Sequence, residues 1–292
     1  MRIGVTGAGG LVGTTLVPLW RRAGHDVVPW TRREMDVTRA PDVAAVIADA
    51  RPDVVVHLAA YTDVDRAERE PDLALAVNGA GTGAVAAACR AAGARCVYVS
   101  SDYVLNGERE GPLPTDAPLR PAGAYARAKS AGEQAVRAAG GNWMIARTGW
   151  VFGPGGRNFV DTMRERAANR TPSRVVQDQH GAPTSSRFIA SVLLELVKAG
   201  SGGVWHVAPS GSTTWFEVAR LIYTAAGADP ALVSPCDSAE LGRPAPRPRF
   251  AVLDTAATAR ALGRPLPPWQ RDVESYVTTG SLPCSAWERE DP

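Results

Sequence analysis

The sequence predicts an α/β fold: a Rossmann-type, doubly wound parallel sheet followed by a smaller C-terminal substrate-binding lobe. Three observations predict it. Short apolar runs alternate with helix-length stretches through the first half, a glycine-rich turn follows the first run, and the rhythm weakens after about residue 150. Repeated β-α-β units with short connections require parallel strands covered by helices on both faces. Such a sheet takes its ligands at the carboxyl ends of its strands.

Ile3-Gly4-Val5-Thr6 is the first strand, and residues 11–23 form a helix that Gly24 caps. Asp26-Val27-Val28-Pro29-Trp30 reads as the second strand and residues 40–50 as a helix. Asp53-Val54-Val55-Val56-His57-Leu58 is a continuous apolar run, as expected for a strand buried on both faces. One long helix over 71–92 precedes the strand Arg95-Cys96-Val97-Tyr98-Val99-Ser100. A helix over 125–139 stops at Gly140-Gly141, before the strand Trp143-Met144-Ile145-Ala146-Arg147. Further helices are expected over 158–168, 186–199 and 214–226, with a strand over 203–207. The Pro/Arg-dense residues 242–248 can continue neither a helix nor a central strand and read as a loop over a site. This divides the chain into a dinucleotide-binding domain, 1–150, and a substrate lobe, 151–292, some of whose elements return to the main sheet.

The 292 residues suffice for one large core with an appended lobe, and 45% hydrophobic with 21% charged content is ordinary for a globular chain. A net charge of +2 with scattered basic residues argues against a nucleic-acid or polyanionic partner. Cys89, Cys96, Cys236 and Cys284 lack metal-ligand spacing and there are four histidines, so neither a metal site nor a disulfide framework is expected. The N-terminus runs straight into a strand with no secretory segment, and no stretch approaches a membrane span. A cytoplasmic protein without a membrane partner is the expectation.

Residues 7–13, Gly-Ala-Gly-Gly-Leu-Val-Gly, lie between the first strand and the first helix. Gly7, Gly10 and Gly13 there permit a tight turn and close approach of backbone to a pyrophosphate, whose charge the helix N-terminus favours. The second strand ends in Trp30-Thr31-Arg32-Arg33, with no acid before Glu34. An acid at that place would hold an adenosine ribose, whereas Arg32 or Arg33 suits a 2′-phosphate and Thr31 a hydrogen bond to it. The cofactor expected is therefore NADPH, with NADH left open.

Tyr125 and Lys129 lie four apart on one helix face, and Ser100-Ser101-Asp102 ends the strand before them. Carbonyl reduction needs such parts: a hydroxyl to bind the oxygen on which charge grows, and an acid to protonate it. A tyrosine, with its ordinary pKa of about 10, holds that proton at neutral pH. The Lys129 ammonium is expected to lower the Tyr125 pKa and to bond the nicotinamide ribose. Ser101 would hydrogen-bond the carbonyl, and Asp102 would bind or orient the substrate. With only two lysines in the chain, one inside this motif is less easily dismissed as surface.

These combined residues resemble the extended short-chain dehydrogenase/reductase family, and more narrowly its dTDP-4-dehydrorhamnose reductase branch. The resemblance runs through Arg51-Pro52-Asp53, Ser101-Asp102-Tyr103-Val104, Arg147-Thr148-Gly149-Trp150-Val151, Asp178-Gln179-His180-Gly181-Ala182-Pro183-Thr184, and Arg247-Pro248 ahead of Leu253-Asp254. It implies catalytic Ser101, Tyr125 and Lys129, and cofactor contacts at Gly10, Leu11, Val12, Asp36, Val37, Ala59, Ala60 and Tyr61. It also implies substrate contacts at Ser101, Asp102 and Trp150; Asn158 and Arg247 are further candidates for the diphosphate. The implied activity is NADPH-dependent reduction of the 4-keto group of a dTDP-linked 6-deoxysugar. The alternatives are an epimerase or dehydratase of the same superfamily, and a non-catalytic dinucleotide-binding subunit. A dehydratase needs an acid pair beside the tyrosine, and only Asp102 is present.

The sequence departs from the family pattern in three places. Ser101 stands where a threonine is usual, and the acid that often ends the second strand is absent. The glutamates that bridge some relatives through magnesium are missing: the matching stretches are Gly13-Thr14-Thr15-Leu16 and Ser185-Ser186-Arg187-Phe188. A monomer or weak homodimer is expected rather than a magnesium-bridged dimer.

Overall fold

In a computed structural model, residues 1–106 and 111–283 are described; Cys284 and the end of the expected substrate lobe lie outside them. The chain runs β1 (Arg2–Thr6), α1 (Gly13–Arg22), β2 (Asp26–Trp30), α2 (Ala40–Ala50), β3 (Val54–His57) and α3 (Val64–Ala67). It continues with α4 (Pro71–Leu75), a π-helical turn (Ala76–Gly81), α5 (Thr82–Ala91), β4 (Arg95–Ser101), α6 (Gly123–Ala139) and β5 (Trp143–Thr148). The second half holds β6 (Val151–Phe152), α7 (Phe159–Ala168), β7 (Ser173–Val176), β8 (His180–Gly181), β9 (Thr184–Ser185), α8 (Ser186–Lys198) and β10 (Gly203–His206). After these come β11 (Thr213–Thr214), α9 (Trp215–Ala225), β12 (Val233–Cys236), α10 (Ser238–Leu241), α11 (Ala256–Ala261) and α12 (Trp269–Thr279).

Six strands form one sheet in the order β10-β5-β4-β3-β1-β2, and every neighbouring pair is parallel. Strand order reverses between β1 and β3, which opens a crevice at their carboxyl ends. The period-two alternation of side chains explains why these strands are apolar throughout. Ile3, Val5, Val54, Val56 and Val97 face α1 and α8, whereas Val55, Cys96, Tyr98 and Ile145 face α2, α5 and α6. Trp20 of α1 locks the first layer by donating from Nε1 to Ala190 O at 2.9 Å. Thus α8 and β10, although late in the chain, belong to the main sheet and its cover.

The helix expected over 71–92 runs uninterrupted over Pro71–Ala91, with one widened, π-helical turn at Ala76–Gly81. Asn78 and Thr82 widen one turn: Thr82 Oγ1 donates to Asn78 O at 2.8 Å, and the Asn78 amide turns away to Tyr61. Gly132 of α6 makes room for that carbonyl, since a Cβ there would lie 2.3 Å from Asn78 O. By length and composition, Pro71–Ala91 is apolar enough to cross a membrane, which corrects the expectation that no stretch approaches that length. Half of it is buried, and it packs between α2 and α6.

Two other bounds shift for local reasons. The first helix begins at Gly13 because residues 10–12 stay in the glycine turn, where Gly10 N donates to Gly7 O at 2.9 Å. The tyrosine helix begins at Gly123, earlier than expected, because Glu68 caps it: Ala124 N donates to Glu68 Oε1 at 2.6 Å. A separate core of Phe152, Val160, Met163, Ile222, Tyr223, Trp269 and Tyr276 holds α7, α9 and α12 together.

Candidate active site

The glycine turn follows β1 and is pressed against the segment after β3. Gly7 has φ +63°, and a Cβ there would stand 2.6 Å from Ala59 N, so only glycine fits. Gly13 is equally confined, with Gly7 O and Ala8 O 2.6 Å from its would-be Cβ. No side chain caps α1 and its first turn carries no acid. Its N-terminal N–H groups and dipole are therefore left for an anion. These features fit a dinucleotide pyrophosphate.

Beneath the turn, Thr6 Oγ1 accepts from Leu58 N at 3.1 Å and Ala59 N at 3.0 Å, so its hydrogen goes to His57 Nδ1 at 2.7 Å. His57 Nε2 then donates to Thr82 Oγ1 at 3.0 Å. Burial holds this imidazole neutral, with its pKa lowered to about 3. Asn78 completes the frame: its Oδ1 accepts from Tyr61 N at 2.8 Å and its Nδ2 donates to Tyr61 O at 2.9 Å. Ala59, Ala60 and Tyr61 are thereby fixed beside the glycine turn.

At the end of β2 the polar groups pair with one another. Glu34 accepts from Thr31 N at 2.9 Å and from the Thr31 hydroxyl, which holds its carboxyl below the usual range. Arg32 pairs with Asp36 at 3.2 Å while Arg33 is exposed. Asp36 also accepts from Thr38 N and Oγ1, and Val37 is buried against Gly81. Asp36 is thus the hub of its own turn, with Arg32 beside it.

Ser101, Asp102, Tyr125 and Lys129 meet at the carboxyl end of β4. Ser101 Oγ donates to Asp102 Oδ1 at 2.9 Å and accepts from Tyr103 N at 3.2 Å, and its hydroxyl acts on Tyr125, opposing the rise in that phenol's pKa. Asp102 is 3% exposed, and burial raises its pKa to about 7. It lies against Gly149, where a Cβ would meet Oδ2 at 2.1 Å. A small cavity lined by Asp102, Gly149, Pro209 and Leu253 adjoins it. Pro209 and Leu253 also border a cleft of about 620 Å³ that includes His180, Ser210 and Phe250.

Lys129 is buried; its Nζ donates to Val99 O at 2.8 Å and lies 4.3 Å from the Tyr98 ring centroid. Burial lowers its pKa to about 7, against the opposing pull of Glu133. Tyr125 is raised to about 12, first by burial, with the Ser101 bond acting the other way and Asp102 reinforcing the rise. The expectation that Lys129 depresses this phenol is corrected: the ammonium is turned to the Val99 carbonyl and the Tyr98 ring, and burial dominates.

The helix bearing Tyr125 and Lys129 is bolted to β5 by an ion pair absent from the sequence expectations. Arg147 Nε and Nη2 bond Glu133 Oε1 and Oε2, each at 2.9 Å, with both side chains at most 1% exposed. Arg147 Nη1 also donates to Thr115 O at 3.0 Å.

The remaining candidates occupy distinct places. Trp150, at φ +52°, stacks on Trp215 with centroids 3.7 Å apart. Gly181 allows this, because a Cβ there would stand 2.5 Å from the indole. Asn158 caps α7 through Asp161 N at 2.9 Å, and its Nδ2 is committed to Gly153 O, Gly156 O and Asp161. Its loop lies against Leu11 and Thr14. Arg247 pairs with Asp65 at 3.0 Å. Sequence reasoning missed His57, Asn78, Glu68, Asp65, Glu133 and Trp215. A lone histidine ending an apolar strand was the one signal among these that a polar network lay behind the turn.

Comparison with known proteins agrees with this geometry. The family model described as RmlD substrate binding domain matches residues 1–281. A dTDP-4-dehydrorhamnose reductase of Mycolicibacterium smegmatis is 41% identical over 294 residues, covering 97% of this chain and 89% of the relative. One of Streptomyces griseus is 42% identical over 272 residues, covering 91% and 90%. The crystal structure of dTDP-4-dehydrorhamnose reductase from Bacillus anthracis in complex with NADP superposes with a TM-score of 0.90 at 34% identity, covering 94% of this chain and 98% of that one. Matched by that family model over residues 1–281 and by these relatives over most of its length, the chain belongs to the RmlD family of the extended short-chain dehydrogenase/reductases.

Proposed function

We propose that this protein is an NADPH-dependent oxidoreductase that reduces the 4-keto group of a dTDP-linked 4-keto-6-deoxysugar, for rhamnose or another deoxysugar. The observation that carries the reading is the buried cluster of Tyr125, Ser101 and Asp102 at the strand ends, in which Ser101 donates to Asp102, with Lys129 buried beside it. The names and the NADP complex of the relatives supply the substrate class and the cofactor.

When bound, the nicotinamide supplies the hydride. Gly7, Gly10, Leu11, Val12 and Gly13 would hold the pyrophosphate, Thr31, Arg32, Arg33, Asp36 and Val37 would surround the adenosine end, and Ala59, Ala60 and Tyr61 would border the middle. Lys129 and Tyr125 would meet the nicotinamide ribose. A tyrosine raised to about 12 keeps its proton throughout the physiological range, so Tyr125 arrives as the acid. It releases that proton only to an oxygen that is gaining negative charge. Ser101 would bind the carbonyl oxygen beside the phenol, and it is held by its bond to Asp102, whose carboxyl burial raises to about 7. Trp150 and Arg247 remain the candidates for contact with the sugar and diphosphate, whereas the Asn158 amide is spent on capping α7.

The protein is taken to work in the cytoplasm, a reading supported by the free, buried thiols of Cys89, Cys96 and Cys236. It is also taken to be a monomer or weak homodimer. Among the described residues no cluster of three or more His, Cys, Asp or Glu side chains could hold a metal. Assaying NADPH oxidation against a panel of dTDP-4-keto-6-deoxysugars tests the function. Turnover with at least one, lost on Tyr125→Phe with NADPH binding retained, is expected. Tightly held NAD that does not exchange, with no net consumption of NADPH, would indicate an epimerase instead.

A further inference from the structure

We propose that Asp65 is a positioning residue for substrate binding, holding the 242–248 loop on the catalytic helix and aiming Arg247 at the substrate's diphosphate. The inference rests on the sugar-nucleotide reading above and assigns a role to a residue that touches no reacting group.

Asp65 is the second residue of α3, just beyond Ala59–Tyr61. Its Oδ2 accepts from Arg243 Nη1 at 3.2 Å and Arg247 Nη2 at 3.0 Å, and its Oδ1 accepts from Ala245 N at 3.2 Å. Arg247 closes the knot by donating from Nη1 to Ala245 O at 2.9 Å. One carboxylate thus grips three points of a proline-dense loop that has no helix or strand of its own. Burial opposes the charge on Asp65, but Arg247, Ala245 N and Arg243 together hold the carboxyl below its usual range.

The gripped loop lies on the catalytic helix. Pro246 packs over Gly123, where a Cβ would stand 3.0 Å from both its Cγ and Cδ. Glu68, one turn beyond Asp65, bonds the same helix start through Ala124 N. The charge of Arg247 reaches Tyr103, whose ring stands edge-on to Tyr125 with centroids 5.5 Å apart. Two guanidinium groups against one carboxylate leave a net positive charge on the loop. A guanidinium carries five N–H donors in a planar fork. Among the described residues Arg247 commits one to Asp65 and one to Ala245 O, so it can take a diphosphate oxygen without releasing Asp65. Asp65 therefore orients the arginine rather than competing for it.

The test is calorimetric titration of dTDP into the full-length protein and its Asp65→Ala, Asp65→Asn, Arg247→Ala and Asp65→Ala/Arg247→Ala variants, with NADPH titrated in parallel. Asp65→Ala and Arg247→Ala should each weaken dTDP by about tenfold, and the double variant should be no weaker than Arg247→Ala alone. Asp65→Asn, which keeps an acceptor oxygen, should fall between wild type and Asp65→Ala. NADPH affinity should not change, and in turnover KM for the sugar nucleotide should rise while kcat holds. The proposal is overturned if Asp65→Ala leaves dTDP affinity within about twofold of wild type, if the two losses add, or if NADPH binding falls equally. A wild-type protein that binds no dTDP would overturn the sugar-nucleotide reading itself.

Discussion

Replacing Glu133 with alanine should cost about 3–5 kcal/mol of folding stability, because it strands Arg147 as a buried charge. Arg147 is 1% exposed and, among the described residues, keeps Thr115 O at 3.0 Å and His206 Nε2 at 3.5 Å once the carboxylate is gone. His206 cannot neutralise it: burial and Arg147 lower the imidazole to about 4, and Nδ1 faces the Asp254 carbonyl at 3.0 Å. Against a total stability of about 5–15 kcal/mol, the loss approaches the point of unfolding. Urea unfolding at constant slope gives the number directly. Removing both charges, as Glu133→Leu with Arg147→Met, should recover more than half of the loss, since neither partner is then left unpaired. A Glu133→Ala protein within about 1 kcal/mol of wild type would refute the claim that this pair bolts the catalytic helix to β5.

Three further outcomes follow from the same geometry. Lys129→Met should abolish turnover yet raise stability at pH 7 by at least about 1 kcal/mol, because burial of the charged lysine is costly. The folded-state pKa near 7 lies below the unfolded value of 10.5, so the cost is full below pH 7 and fades as pH rises towards 10.5. Urea midpoints across that range should show the variant's advantage shrinking. Asp102 shifts the other way, from 3.8 to about 7, so its protonated form favours folding; that contribution is full below about pH 4 and lost as pH rises through 7. Asp102→Asn should therefore gain stability over wild type as pH rises from 4 to 7. Gly7→Ala, with φ +63° and a clash at Ala59 N, should weaken NADPH binding by at least about tenfold in a fluorescence titration.

The parts legible in the sequence are those governed by local rules. Short continuous apolar runs marked β1, β3, β4 and β5, and the glycines of residues 7–13 marked the turn that needs them. Tyr125 and Lys129 were legible because four residues span one helical turn. Contacts between distant residues were not: Asp65 meets Arg247 across 182 positions, and Trp150 finds Trp215 in another element. The phenol's rise was missed because burial is a property of the packed site and not of the Tyr-x-x-x-Lys spacing. The π-turn at Ala76–Gly81 was hidden because an alanine- and glycine-rich apolar run reads as one continuous helix. Asn158 carried a usable signal: an asparagine before a helix, with Asp161 three residues on, is a cap pattern.

The most direct test is the fate of the hydride. NADPH deuterated at the nicotinamide C4 position that donates hydride is incubated with the protein and a dTDP-4-keto-6-deoxysugar, and the product is read by NMR. Deuterium at C4 of the sugar, formed by wild type and absent with Tyr125→Phe, is the predicted result. Undiminished product from the Tyr125→Phe protein, or a sugar altered at another carbon with the label still in the cofactor, would contradict it.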